Sequence, residues 1–371
     1  MNHLQRVRTT GGLALLMLLC LGACKGPHHA EQVAEPIGSE RGAMVALDPQ
    51  SVGGPLVYLT SQSEGERLDA MRAAAPGVEF VAGLTRASAP QHGARAHGVD
   101  AHLVTAELLA AAPRLAWVQS YSAGVENVLA VPGLVERDGI VLTNGSGAHG
   151  PVIAEHVFAL LLHLTRGLAA YGDAQARGEW ARGAAQGEAL SGRTVLVAGL
   201  GAIGDQVARR ARAFGMTVLA TARTQRDRPP HVDELVTSER MDELLPRADV
   251  LVICLPLTDA TRGLFDRRRL SLLRRGAYVI NIARGEILDS DALLEALVSS
   301  HLGGAGLDVT DPEPLPAGHP LWTAPNLVIT PHVAGDAELT RKRRDALIEE
   351  NLARFATGRP LLNVVDRLAG Y

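Results

Sequence analysis

Val195-Leu196-Val197-Ala198 runs directly into Gly199-Leu200-Gly201-Ala202-Ile203-Gly204, and the helical stretch Gly204–Phe214 follows. No other segment of the chain narrows its fold so much. A β-prone apolar run, a turn with glycine at its first, third and sixth positions, and a helix together form a strand–loop–helix unit that can hold a pyrophosphate. Gly199 permits the tight turn. Gly201 lets the backbone approach the phosphates, and Gly204 lets the helix pack on the strand. The helix N-terminus, with Ala202 and Ile203 in its first turn, favours negative charge. Glycines at strand–helix turns are common, so the motif gains force from the strand before it and the helix after it.

The next strand, Thr217–Thr221, is where a dinucleotide-binding unit places an acidic residue for the ribose 2′-hydroxyl. Here the chain reads Ala222-Arg223-Thr224, with Arg226 close by. A planar guanidinium suits a 2′-phosphate, so Arg223 and Thr224 point to NADP, with NAD as the other possibility. The bland alternative for Arg223 is a solvated loop side chain.

Apolar strands alternate with helical stretches along the whole body, which predicts an α/β fold with parallel sheets. In the first half, Leu56–Thr60, Val78–Ala82 and Leu115–Val118 read as strands. Glu64–Ala74 and Val104–Ala112 read as helices, and Tyr121–Asn127 as a loop. Pro151 opens a predicted helix running to about Tyr171. Its apolar positions Val152, Ile153, Val157, Leu160, Leu161, Leu164 and Leu168 form a face that another domain or subunit could cover. Strands Val250–Leu255, Ala277–Ile282 and Leu327–Thr330 and a closing helix Ala337–Thr357 complete the second half. The expected division is a dinucleotide-binding domain at 150–332 and a discontinuous domain at 44–149 and 333–371.

The 371 residues are ample for two cores, and the 47% hydrophobic content excludes a disordered chain. The net charge of -4 argues against nucleic acid or an acidic membrane surface as the main partner. Three cysteines, Cys20, Cys24 and Cys254, are too few for a disulfide framework, and Cys254 reads as a buried core thiol. No metal site is expected.

Residues 1–24 read as an export signal. Arg6 and Arg8 precede an apolar stretch, Gly11–Leu21, too short to span a bilayer stably. It closes on Leu21-Gly22-Ala23-Cys24, which resembles a bacterial lipobox and marks Cys24 for lipid. Residues 25–43 then form a polar tether. This predicts a membrane-anchored lipoprotein facing the periplasm or cell exterior. Translation from Met44 would instead leave the protein cytoplasmic.

Three further segments each follow a strand: Asn281-Ile282-Ala283-Arg284-Gly285, Gly306-Leu307-Asp308-Val309-Thr310-Asp311-Pro312-Glu313-Pro314, and Thr330-Pro331-His332-Val333-Ala334-Gly335. An arginine, a carboxylate and a histidine at the carboxyl ends of parallel strands stand where open α/β sheets bind ligands. Singly, each has an ordinary structural reading. Together with Ser122-Ala123-Gly124-Val125-Glu126, Ala154-Glu155-His156, Leu255-Pro256-Leu257-Thr258 and His319-Pro320-Leu321-Trp322, they resemble the D-isomer-specific 2-hydroxyacid dehydrogenase family over about residues 54–365. The Ala222-Arg223-Thr224 and Leu307-Asp308-Val309-Thr310 wording looks most like its glyoxylate/hydroxypyruvate reductases.

The resemblance implies two Rossmann-like domains, a homodimer, and reduction of a small 2-oxo acid by NAD(P)H. It implies that Arg284 binds the substrate carboxylate and polarises the carbonyl. It makes His332 the proton donor, with Glu313 holding the imidazole and favouring its charged form. It places the Ala123 and Gly124 amides on the carboxylate, Asp308 near the carboxamide of the nicotinamide, and Leu255, Pro256, Thr261, Ile282 and Ala283 along the cofactor. Asp336 departs from the family by adding an acid close to His332, where it could alter substrate preference or the histidine's proton affinity. The lipoprotein signal departs more, and motivates a second hypothesis: a dinucleotide-binding sensor or scaffold that kept the fold without catalysis.

Overall fold

The computed structural model describes Ser39 and residues 44–370. The export signal and Cys24 lie outside the described residues, as does the tether apart from Ser39. The described chain forms two parallel sheets. The first has order β2-β1-β3-β4-β5 and contains β1 (Leu56–Leu59), β2 (Val78–Val81), β3 (Gly98–Asp100), β4 (Trp117–Gln119) and β5 (Val141–Thr143). The second has order β12-β11-β10-β9-β6-β7-β8. Its strands are β6 (Thr194–Ala198), β7 (Thr217–Ala222), β8 (Glu234–Thr237), β9 (Val250–Ile253), β10 (Ala277–Asn281), β11 (Leu302–Leu307) and β12 (Leu327–Ile329). Both orders reverse direction once, beside β1 and beside β6, and such reversals open a crevice at the carboxyl ends of the strands.

Helices cover both sheets: α1 (Glu66–Ala74), α2 (Ala106–Ala111), α3 (Glu126–Leu129), α4 (Gly150–Thr165), α5 (Leu168–Ala176), α6 (Ala202–Ala213), α7 (Met241–Leu244), α8 (Arg267–Leu272), α9 (Ser290–Val298) and α10 (Glu338–Ala356). The helix expected to run unbroken to Tyr171 instead stops at Thr165, and α5 leaves at 71° to α4. Gly167 is the cause. Its φ of 61° is left-handed, and a Cβ there would meet Ala185 Cβ at 2.2 Å. The apolar face of α4 is covered by its own domain: Ile153, Val157, Phe158, Leu160 and Leu161 are buried with β6 and α6 residues. Beyond the bend, Leu168, Tyr171 and Trp180 stay exposed, Trp180 by 90%. Among the described residues no single helix is long and apolar enough to cross a membrane.

After β12 the chain returns to the first sheet. Ile348, Leu352 and Phe355 of α10 are buried with Leu56, Tyr58 and Trp117. Each such side chain contributes about 1.5–3 kcal/mol by leaving water. Asn351 locks the return. Its Nδ2 donates to Gln119 Oε1 at 3.1 Å, and its Oδ1 accepts from the Leu362 amide at 2.8 Å. At the other end of the described chain, Met44 pairs with Leu361 and the Ser39 amide donates to Asn363 Oδ1 at 2.7 Å.

Candidate active site

The glycine loop leaves β6 where the second sheet reverses. Thr221, fully buried at the end of β7, fastens it: the Gly199 amide donates to Thr221 Oγ1 at 3.1 Å and the Leu200 amide to the Thr221 carbonyl at 2.7 Å. A Cβ on Gly204 would lie 2.1 Å from the Gly199 carbonyl oxygen, so α6 can begin here only on glycine. Gly201 differs. A Cβ there would meet nothing within 4 Å, so protein packing gives no reason for glycine and the space in front of it is open. Among the described residues, no N-cap side chain bonds the first amides of α6. This is a cradle for a pyrophosphate, and the residues present fit a dinucleotide.

A cleft of ≈ 880 Å³ extends from this loop. Gly199, Gly201, Arg223, Thr224, Leu255, Pro256 and Thr261 line it, together with Arg226 and Glu239. Arg226 donates through a terminal nitrogen to the Leu200 carbonyl, which places its charge across the glycine loop. Cys254 packs against the core while also lining the cleft, half-buried, and burial pushes its thiol up to about 12, so it stays neutral. Thr261 shapes the wall of the cleft locally, its hydroxyl donating to the Pro256 carbonyl at 2.6 Å. Ala202, Ile203, Gly204, Ile282 and Ala283 do not line it. Ile282, Ala283 and Gly204 are buried, and Ile203 packs against the core beneath the loop.

A second cleft, ≈ 670 Å³, gathers Gly124, Arg284, Glu313 and His332 from four separate stretches of chain. His332 Nδ1 donates to Glu313 Oε1 at 2.8 Å. That bond fixes a proton on Nδ1 and leaves Nε2 for exchange. His332 sits at a φ of 54°, a conformation costing a non-glycine residue about 1–3 kcal/mol. Asp308 holds it there. This buried carboxylate accepts from Thr330 Oγ1 at 2.6 Å and from the Val333 and Ala334 amides at 2.9 Å each. The His332 amide donates to the Asp308 carbonyl at 2.8 Å. Asp308, expected beside the cofactor carboxamide, also braces the histidine turn from beneath, with His156 Nε2 3.7 Å from it.

Arg284 follows β10, where Asn281 shapes the turn: its Oδ1 accepts from the Ala283 amide at 3.0 Å and its Nδ2 donates to the Arg284 carbonyl at 2.9 Å. The guanidinium reaches the first sheet's loop so closely that a Cβ on Gly124 would lie 1.9 Å from it. Ala123 is not itself among the lining residues. Its carbonyl accepts from Asn144 Nδ2 at 2.8 Å, which anchors the loop. Asp336 pairs with Arg341 at 3.1 Å on the surface. Sequence reasoning left unassigned Thr221, Asn281, Asn144 and Glu126, whose Oε1 lies 3.3 Å from Arg284 Nε. Thr221 and Asn281 stand at strand ends next to motif residues, a positional signal that could have flagged them.

Two parallel α/β sheets whose loops bring a dinucleotide cradle and an Arg–Glu–His cluster to adjoining clefts define a nicotinamide-dependent oxidoreductase scaffold. Residues 158–334 match the NAD-binding domain of the D-isomer specific 2-hydroxyacid dehydrogenases. A glyoxylate reductase of Aeropyrum pernix is 35% identical over 268 residues, 70% of this chain and 78% of that one. The D-3-phosphoglycerate dehydrogenase of Bacillus subtilis is 34% identical over 241 residues, 62% of this chain but 43% of that longer protein. The NADPH-dependent glyoxylate/hydroxypyruvate reductase of Sinorhizobium meliloti, solved with NADP and sulfate, superposes with a TM-score of 0.69 at 32% identity, covering 86% of this chain and 100% of that one. The chain belongs to the D-isomer-specific 2-hydroxyacid dehydrogenase family.

Proposed function

We propose that the protein reduces a small 2-oxo acid of the glyoxylate or hydroxypyruvate type to its 2-hydroxy acid, with NADPH as the preferred donor. The observation that carries this reading is the His332–Glu313 pair at 2.8 Å in one cleft with Arg284 and Gly124. The reduced nicotinamide, when bound, supplies the hydride. Arg284 and the Gly124 backbone hold the acid's carboxylate and orient its carbonyl. His332 delivers a proton from Nε2 to the carbonyl oxygen, while Glu313 keeps the ring in place and offsets the positive charge of its protonated form. The reverse direction uses the same atoms with His332 as base.

His332→Ala is expected to lower turnover by about 10²–10⁴-fold while leaving NADPH affinity near native. Steady-state rates beside a cofactor titration check it, and native turnover would remove His332 from the mechanism. The preference for NADPH rests on Arg223 and Arg226 at the cleft and on the lack of an acid at the end of β7. Arg223→Asp should cut the NADPH/NADH ratio of kcat/KM by about tenfold or more, the worth of one charge-assisted contact.

Two wider proposals have their own support. A homodimer would cover the exposed Leu168, Tyr171 and Trp180, and light scattering reads its mass. Anchoring by lipid on Cys24 follows from Arg6, Arg8, the apolar stretch and the lipobox order, and loss of fatty-acid labelling in Cys24→Ala tests it. The non-catalytic sensor reading is not favoured, because a protein without turnover has no use for the assembled Arg284, Glu313 and His332.

A further inference from the structure

Arg284 meets a carboxylate of the protein itself in the cleft where a substrate carboxylate should dock. Glu126 opens α3 on the loop of the first sheet, and Arg284 follows β10 of the second. Glu126 Oε1 stands 3.3 Å from Arg284 Nε, and the two side chains are 36% and 31% exposed. At that depth the attraction is only partly screened. Arg284 NH1 donates to the Ala283 carbonyl at 2.7 Å, so one arm of the fork is already engaged. The remaining geometry converges on Gly124: a Cβ built there would lie 1.9 Å from Arg284 NH2 and 2.6 Å from Glu126 Oε2. Guanidinium, resident carboxylate and loop backbone share one spot.

We propose that Glu126 is a specificity-determining residue that acts as an internal competitor: its carboxylate occupies Arg284 before a 2-oxo acid arrives and must yield or share that guanidinium when the acid binds. The inference rests on Arg284 being the carboxylate-binding group of the proposed function. Every anionic substrate meets a like charge in the cleft, and an acid bearing two carboxylates meets it twice. Glu126 thereby sets a high KM and favours 2-oxo acids with a single carboxylate.

The test replaces the charge and keeps the shape. In Glu126→Gln, KM for glyoxylate should fall by about tenfold, the scale of one like charge several ångströms away in a half-solvated cleft. The inhibition constant of oxalate, an unreactive dianion, should fall at least as far. Glu126→Ala removes the same charge with a different shape and should move both constants the same way. An unchanged or raised constant, in a variant that melts at the native temperature and binds NADPH natively, overturns the proposal; a rise would make Glu126 a positioner of Arg284 instead. If the native protein reduced no 2-oxo acid, the proposed function would fail by itself. Oxalate titration of the NADPH-loaded full chain, followed by nicotinamide fluorescence, would still decide the role of Glu126.

Discussion

Asp308 shows how a residue near the chemistry can act by holding its neighbour in place. Its place after a strand, in a familiar order of residues, suggests a position beside the cofactor. The structure turns it toward the backbone, where three donors and the His332 amide hold a turn that a histidine would not adopt unaided. Asp308→Asn keeps the size but offers only one accepting oxygen, so either Val333 or Ala334 loses its partner. Leaving a buried donor unpaired costs about 1–3 kcal/mol. The expected result is a lower melting temperature with kcat reduced about tenfold or more, read by calorimetry and steady-state kinetics; native kcat would show that the turn holds itself. Arg284, Glu313 and His332 were legible because each follows a strand end and carries reactive chemistry. The part of Glu126 was not, since an acid at the start of a short helix looks like an ordinary capping choice until its neighbour across the cleft is known.

At the scale of elements, the glycine loop separates structural from ligand-facing glycines. Gly204→Ala would drive a methyl into the Gly199 carbonyl and should damage both folding and NADPH binding. Gly201→Ala meets no protein atom within 4 Å, so its melting temperature should stay within about 1–2 °C while NADPH affinity falls about tenfold or more. Equal effects of the two substitutions would mean that the open space at Gly201 is not the phosphate cradle. The strands themselves were unequally legible. β6 and β7 announce themselves through branched apolar runs, whereas β11 reads Leu-Gly-Gly-Ala-Gly-Leu and has no alternating pattern. Its glycines answer to neighbours instead: a Cβ on Gly306 would lie 3.0 Å from Leu160 Cβ of α4, and one on Gly304 2.9 Å from the Asn326 carbonyl. The first sheet carries a pH dependence. The Val57 amide donates to His97 Nδ1 at 3.1 Å, which needs that nitrogen unprotonated. Burial first, and then the charge of Arg114, hold the imidazole below its ordinary value. The folded form therefore takes up a proton less readily than the unfolded chain. Stability is full above about pH 6.5 and declines as pH falls below it, toward the lower folded value. Melting scans from about pH 8 to about pH 5 should show that decline and a shallower one in His97→Gln; equal slopes would assign it elsewhere.

For the molecule as a whole, the two reversals of strand order put a dinucleotide cleft on one sheet and the Gly124 loop, facing Arg284, on the other. Arg284 reaches from the second sheet to that loop. The discontinuous first unit was readable from the closing helix, because its apolar residues need a sheet and the first half offers one; the Phe355 ring lies tilted against Trp117, centroids 4.9 Å apart, in the result. The bend after α4 was harder to foresee, since hydrophobic spacing continues past Thr165 and only Gly167 signals the stop. That bend leaves Leu168, Tyr171 and Trp180 exposed beyond the buried face of α4. Residues, loops and sheets converge on the paired clefts to which we assign the proposed reduction of a small 2-oxo acid. The near-ultraviolet absorbance of NADPH, mixed with the purified protein and glyoxylate, hydroxypyruvate or pyruvate in turn, reads that reaction directly. The reduced-nicotinamide band should disappear with glyoxylate or hydroxypyruvate, and faster with NADPH than with NADH. A band that persists with all three acids, while NADPH binding is demonstrable, would refute the assignment.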